Sequence, residues 1–166
     1  IARHLTARLR ERGDVVTALA RGTLPDPHAH IDAVVNLAGA PILGPPWTAA
    51  RRRLLRASRI DTTRHLVAAI GAAASPPQVL VNGSAVGFYG NSSGASFTEA
   101  SPGANDFLGQ LCQDWEAAAA ALPASCRLVL VRTGIVLAPG GGALGKMLPI
   151  FRAGFGGPVG SGRQWM

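Results

Sequence analysis

The sequence predicts an α/β fold built on a doubly wound, mostly parallel sheet, and three observations carry that prediction. Short apolar runs of strand length alternate with helical stretches of roughly 10–20 residues, the pattern of successive strand–helix–strand units. The runs are continuously apolar rather than alternating, as strands buried on both faces require. One of them, Val34-Val35-Asn36-Leu37-Ala38-Gly39-Ala40, closes on small residues and a glycine, a strand end built for close approach of another group.

Composition narrows the field. The chain has 166 residues, 48% hydrophobic and 15% charged, enough for one domain with a core and too apolar for a disordered chain. Its 21 Gly and 12 Pro cluster between the apolar runs, as turn punctuation does. No apolar stretch reaches the ~18 uninterrupted residues of a transmembrane helix. The opening residues, with Arg3, Arg8, Arg10, Glu11 and Arg12, hold no signal-peptide apolar region. A cytoplasmic protein without membrane partners is expected. Cys112 and Cys126 read as reduced thiols rather than a disulfide. His4, His28, His30 and His65 are scattered; only His28 and His30 are close, and they read as surface-loop residues, so no metal site is expected. The net charge of +7 raises nucleic acid as a partner. Of the basic residues, however, all but Lys146 are Arg, they gather on two helices, and no aromatic residues are interleaved to stack bases. Nucleic acid is therefore not the expected partner; a small molecule is.

In chain order, residues 2–12 predict a helix with Leu5 and Leu9 on one face and Gly13 as its stop. Residues 15–19 predict a strand ending at Ala20-Arg21-Gly22, and after a Pro- and His-rich loop residues 31–38 predict a second. Residues 47–70 hold no Gly or Pro and predict one long helix, with Leu55, Ser58, Thr62, Leu66 and Ala69 along one face. A third strand covers 79–84. Asn105 opens a helix in which Phe107, Leu108, Leu111, Cys112 and Trp115 recur at helical spacing, and Pro123 ends it. A fourth strand covers 128–137, followed by Gly140-Gly141-Gly142, a helix around 143–152 and a loop over 154–162. Right-handed crossovers are expected to set helices on both faces of the sheet.

Ligands of such sheets bind beyond the carboxyl ends of the strands, which here picks out Arg21, Leu37-Ala38-Gly39, Ser84 and residues 133–136. No complete G-x-G-x-x-G stands in the chain, and it opens inside a helix that normally follows such a loop; the first strand and its glycine-rich loop are expected upstream of Ile1, with a gap beside the 15–19 strand. Arg21 ends a strand where an acidic residue would bind the ribose 2′-hydroxyl of NAD. An Arg there pairs with a 2′-phosphate instead and favours NADP over NAD. Asn36 can tie neighbouring strand ends, while Leu37, Ala38 and Gly39 let main chain approach a dinucleotide. Ser84 can offer a hydroxyl to a substrate oxygen; with no His or acid evident beside it, a hydrolase is a poor reading. Gly140-Gly141-Gly142 reads as turn chemistry.

Several segments together resemble one group of proteins. They are Asn36-Leu37-Ala38-Gly39-Ala40, Ser58-Arg59-Ile60, Ser84-Ala85-Val86-Gly87-Phe88-Tyr89-Gly90, Asp106-Phe107-Leu108 with Trp115-Glu116, and Arg132-Thr133-Gly134-Ile135-Val136-Leu137. The glycine-rich pieces around Gly140-Gly141-Gly142 and Gly156-Gly157-Pro158 follow in the same order. This combination is similar to an atypical branch of the extended short-chain dehydrogenase/reductases, the sugar-nucleotide-epimerase-like or epimerase-family group. The resemblance implies a Rossmann-type fold in a single NAD(P)-binding domain over 1–166, incomplete at both ends, with NADP(H) as cofactor. It implies Arg21 as reader of the 2′-phosphate, Leu37, Ala38, Leu54, Arg59 and Val136 as further cofactor contacts, and Ser84 at the position of the superfamily's catalytic Ser/Thr. One departure bears on the chemistry: the superfamily's Tyr-x-x-x-Lys pair is absent. Leu108 and Cys112 stand near its positions, and the residue four beyond Tyr89 is Ser93. Tyr89 is then the candidate proton donor. The resemblance implies an oxidoreductase or epimerase (isomerase) acting on a small, nucleotide-sugar-like substrate. The alternative is a non-catalytic NADP(H)-binding or redox-sensing protein that has lost the dyad.

Overall fold

The computed structural model describes residues 1–20, 22–26, 29–138, 142–158 and 161–162, and the main chain alone of Lys146. Helix α1 covers Ala2–Glu11 and stops at Gly13, whose φ of +97° suits a left-handed helix end and whose N–H returns to the Arg10 carbonyl. None of its residues is buried. The run 15–19 forms no strand, contrary to the expectation. A strand exists through its hydrogen-bonded neighbour, and among the described residues none pairs with this run; Val15 stands 98% exposed.

Strand β1 is Ala33–Asn36, shorter than the apolar run predicts because its ladder to the next strand extends only from Ala33 opposite Val79 to Asn36 opposite Asn82. Helix α2, Ala49–Ala72, starts where the Thr48 hydroxyl accepts from the Arg51 N–H at 3.2 Å. Its buried stripe is Leu55, Ile60, Thr63, Leu66, Val67 and Ile70, so Ser58, Thr62 and Ala69 lie at the margin of the expected face rather than on it. The stripe turns because the helix serves two cores. Leu55 and Ile60 pack with Leu111 and Trp115, whereas Leu66, Val67 and Ile70 pack with Leu80 and Cys126.

Strand β2, Val79–Ala85, runs into a single 3-10 turn over Val86–Tyr89. Helix α3, Phe107–Ala120, is capped by Asp106, whose carboxylate accepts from Gly109 N–H at 2.8 Å. Strand β3 is Arg127–Thr133, and the expected strand to residue 137 is interrupted; Leu137–Ala138 form a separate short β4, with Leu137 bridged antiparallel to Gly142. Helix α4, Gly142–Arg152, rests against β4.

The three long strands form one parallel sheet in the order β1-β2-β3. Strand order and sequence order coincide, so the two crossovers advance in one direction, and α2 and α3 pack side by side. Helices on both faces require a reversal of strand order, and the described strands contain none. Val35 and Val131 accordingly remain 41% and 38% exposed. Parallel pairing also brings the carboxyl ends of all three strands, at Asn36, Ala85 and Thr133, to a single rim.

Candidate functional site

Two polar networks occupy that rim. The first begins at Asn36, the last residue of β1. Its side-chain amide donates to Asn82 Oδ1 on β2 at 2.7 Å and to Thr63 Oγ1 on α2 at 2.9 Å, while its own Oδ1 accepts from the Ala38 N–H at 3.2 Å. Trp115 Nε1 on α3 donates to the same Thr63 oxygen at 2.9 Å. Thr63 and Asn82 are fully buried, so each polar group here must find a partner inside the protein, and the pairs bind two strands to two helices.

The exit from β1 is then drawn against α2. Ala40 N–H donates to Ser58 Oγ at 3.0 Å, the Arg59 guanidinium donates to the carbonyls of Ala40 and Leu55 at 3.1 and 3.2 Å, and Arg51 reaches the Pro41 carbonyl. Arg59 also lies 5.3 Å from the Trp115 ring centroid. Burial lowers the Arg59 pKa, an effect that the neighbouring Arg51 charge reinforces. Its partners are carbonyls and a ring; among the described residues no carboxylate pairs with it. Gly39 faces this guanidinium so closely that a Cβ would lie 2.9 Å from Arg59 Cζ. The bare glycine is therefore needed for the cation to sit against this main chain, with Ala38 and Gly39 open to solvent.

The second network centres on Ser84. The residue is 3% exposed, and its hydroxyl donates to Glu116 Oε1 at 2.6 Å. Arg132, its register partner on β3, grips both oxygens of Glu116, through Nε at 2.9 Å and Nη2 at 2.8 Å. With Nη1 it also donates to the Tyr89 hydroxyl at 2.8 Å and to the Glu99 carbonyl at 3.0 Å. The guanidinium stacks over Phe88 at 3.6 Å, Tyr89 stacks on Phe97 at 5.1 Å between centroids, and Thr133 Oγ1 donates to the Ser84 carbonyl at 2.9 Å. Burial pushes the Glu116 pKa up, but the hydrogen bonds from Arg132 and Ser84 outweigh it and hold the carboxyl below its ordinary range; Arg132 is correspondingly held charged. Cys112, within hydrogen-bonding reach of Ser84, has its thiol pKa raised mainly by burial.

The expectation that no acid lies near Ser84 is thus corrected: Glu116 is its hydrogen-bond acceptor. With no histidine in the network and the carboxylate locked by an arginine, the arrangement still lacks the base of a hydrolase. Of the other expected residues, Leu37, Ala38, Gly39 and Arg59 come together at the end of β1. Ser84 and Tyr89 are joined through Glu116 and Arg132. Leu54 and Val136 are 47% and 45% exposed. Arg21, His28 and Gly140-Gly141 lie outside the described residues, while Gly142 opens α4 with φ +65°. His30 is an exposed partner of Asp32 at 3.4 Å. Among the described residues no His/Cys/Asp/Glu group could hold a metal, and no helix is long and apolar enough to cross a membrane. Glu116 and Arg132 stand within the segments that carry the resemblance, but motif reading assigned neither of them a role. Their signal was their setting, a carboxylate on the apolar stripe of a helix and an arginine inside an apolar strand.

Comparison with known proteins finds one group to which the chain is similar in sequence and in fold. No family model matches the chain. It is 44% identical to the epimerase family protein SDR39U1 of Bos taurus over 97% of the chain and 59% of that protein, and 46% identical to the epimerase family protein Mb2239 of Mycobacterium bovis over 85% of the chain and 47% of that protein. The chain belongs to this epimerase family. Its fold agrees: human epimerase family protein SDR39U1, crystallised with NADPH, superposes with a TM-score of 0.88 at 42% identity over 95% of the chain and 58% of the human one. A nucleoside-diphosphate sugar epimerase from Corynebacterium glutamicum gives 0.76 at 30% identity over 99% of the chain and 37% of that protein. The epimerase family chain described here thus spans between a third and three fifths of these relatives.

Proposed function

We propose that this chain binds NADP(H) along the carboxyl ends of its strands and belongs to an oxidoreductase or epimerase-like protein acting on a small, nucleotide-sugar-like substrate. The observation that carries the reading is the half-buried Arg59 guanidinium beneath the open main chain at Gly39, with no carboxylate partner among the described residues. A cation in that state suits the anionic backbone of a dinucleotide, and the main chain of Ala38 and Gly39 is exposed to its approach. The NADPH in the human relative supports the same choice. In this reading Leu37, Ala38 and Gly39 offer main chain to the cofactor, Arg59 supplies charge, Leu54 and Val136 border it, and Arg21 reads the 2′-phosphate. Bound NADP(H) would supply hydride transfer; the chain's own part is to hold a substrate oxygen near Ser84 and Tyr89.

A second reading, a binding protein without turnover, is favoured by one specific observation. The helix that carries the superfamily's dyad presents Leu108 and Cys112, and the Ser84 proton is already taken by Glu116. The two readings separate on NADPH oxidation by the full-length protein against a panel of carbonyl compounds; tight NADPH binding without turnover on any of them selects the second. For the cofactor itself, Arg21→Ala should weaken NADPH binding by roughly ten- to a hundredfold, the worth of charged hydrogen bonds at ~1.5–3 kcal/mol. NADH binding should change little. Equal loss of both in titration calorimetry would remove the 2′-phosphate assignment.

A further inference from the structure

Hydrogen-bond bookkeeping around Arg132 fixes a polarity that residue types alone leave open. A phenol has one proton and an oxygen that accepts; a serine hydroxyl likewise has one proton and an accepting oxygen. Arg132 Nη1 donates to Tyr89 at 2.8 Å, so the Tyr89 oxygen is occupied as an acceptor and its own proton must point elsewhere. At Ser84 the assignment is reversed. Its one proton is committed to Glu116 at 2.6 Å, and an ionised Glu116 can only accept, so any other group meeting the Ser84 oxygen, the nearby Cys112 thiol included, must donate to it.

We propose that Arg132 is a positioning residue which sets Tyr89 as an outward hydrogen-bond donor and, through Glu116, restricts Ser84 to accepting, so that the ligand oxygen contacting Tyr89 is an acceptor such as a carbonyl. The ligand-facing donor is thereby the tyrosine, not the serine. The geometry is tightly held. The guanidinium is fixed by both Glu116 oxygens, by the Glu99 carbonyl and by stacking at 3.6 Å over Phe88, and Tyr89 is held from its other side by Phe97. A lysine at position 132 could keep one contact to Glu116, but its point charge lacks the fork needed to serve Glu116 and Tyr89 at once. The proposal rests on the ligand-binding reading above only for the statement that a ligand arrives at this rim.

Tyr89 is the only tyrosine in the chain, which gives a direct probe. In full-length protein with every other tyrosine replaced by phenylalanine, the ring Raman doublet of tyrosine reports whether the phenol oxygen accepts a hydrogen bond. The unsubstituted site should show a strongly accepting phenol. Arg132→Lys should lower the doublet intensity ratio toward that of a donor-only phenol, and Arg56→Lys, on the remote ion pair with Asp114, should leave it unchanged. A donor-only signature with Arg132 intact overturns the proposal without any variant having to fold, and so does an unchanged ratio in folded Arg132→Lys. NADPH titration of the same samples tests the underlying reading separately: loss of cofactor binding in the unsubstituted protein removes that reading, while the Raman result still decides what Arg132 does to Tyr89.

Discussion

Glu116 illustrates how one side chain couples stability to acidity. Its carboxylate and the Arg132 guanidinium are 10% and 18% exposed at their side chains, so removing the anion strands a mostly buried cation. Glu116→Gln is expected to cost about 3 kcal/mol in urea unfolding, the low end for breaking such a pair. The acid dependence follows from the direction of its shift. A carboxyl held below its ordinary value of 4.5 stabilises the fold fully above that pH, and the contribution drains away as pH falls from there through the folded value. Stability of the unsubstituted chain should therefore drop below about pH 4.5 more steeply than that of Glu116→Gln. Parallel acid limbs would show that this carboxyl is not perturbed.

At the scale of an element, the start of α3 shows packing overruling propensity. Gly109 sits in the first turn, where alanine ordinarily gains ~1 kcal/mol of helix propensity. Yet a Cβ at Gly109 would overlap the Ala104 carbonyl, which is main chain and cannot swing aside, while the Gly109 N–H is held by the Asp106 cap. Gly109→Ala should therefore destabilise by roughly 1–3 kcal/mol, as overpacking does, with a lower thermal midpoint as the readout; a rise in the midpoint would mean the Ala104 turn yields freely. The same contrast explains what could be read from sequence. The long helix, the β2 strand and the α3 helix were legible because their apolar patterns are long and strong. The 15–19 run was misread because apolarity signals burial, whereas a strand needs a paired neighbour. The stripe on α2 was misplaced because a single period cannot describe a helix that serves two cores. Asn36 was legible as a tie between strand ends; the Glu116–Arg132 pair was not, because each residue makes sense only beside the other.

For the molecule as a whole, the arrangement concentrates function on one rim while a positive charge of +7 spreads along α2 and the ends. A ligand that binds the folded state stabilises it in proportion to the logarithm of its excess, about 2.7 kcal/mol at roughly a hundred times its dissociation constant. NADPH at that excess should raise the melting temperature of the full-length protein by roughly 5–10 °C. NADH at the same concentration should do less. No shift with either, in scanning fluorimetry, would separate this chain from the cofactor chemistry of its relative. Arbitrary DNA should give at most a weak, salt-erased response, since charge alone supplies no site.

The pairing of Asn36 with Asn82 has one more effect. The two residues sit directly opposite each other in the β1–β2 ladder, and their side chains bond across it at 2.7 Å. Slide β1 by a single position and Val35 or Leu37 comes to face Asn82, leaving a fully buried amide with an apolar neighbour and Thr63 with Trp115 as its one remaining donor of the two described. A slip of one residue also turns every side chain of the strand to the other face, so the asparagine pair adds to the register that one-sided burial already favours. The two asparagines work as a notch and key, because only the observed register sets amide against amide across the β1–β2 ladder.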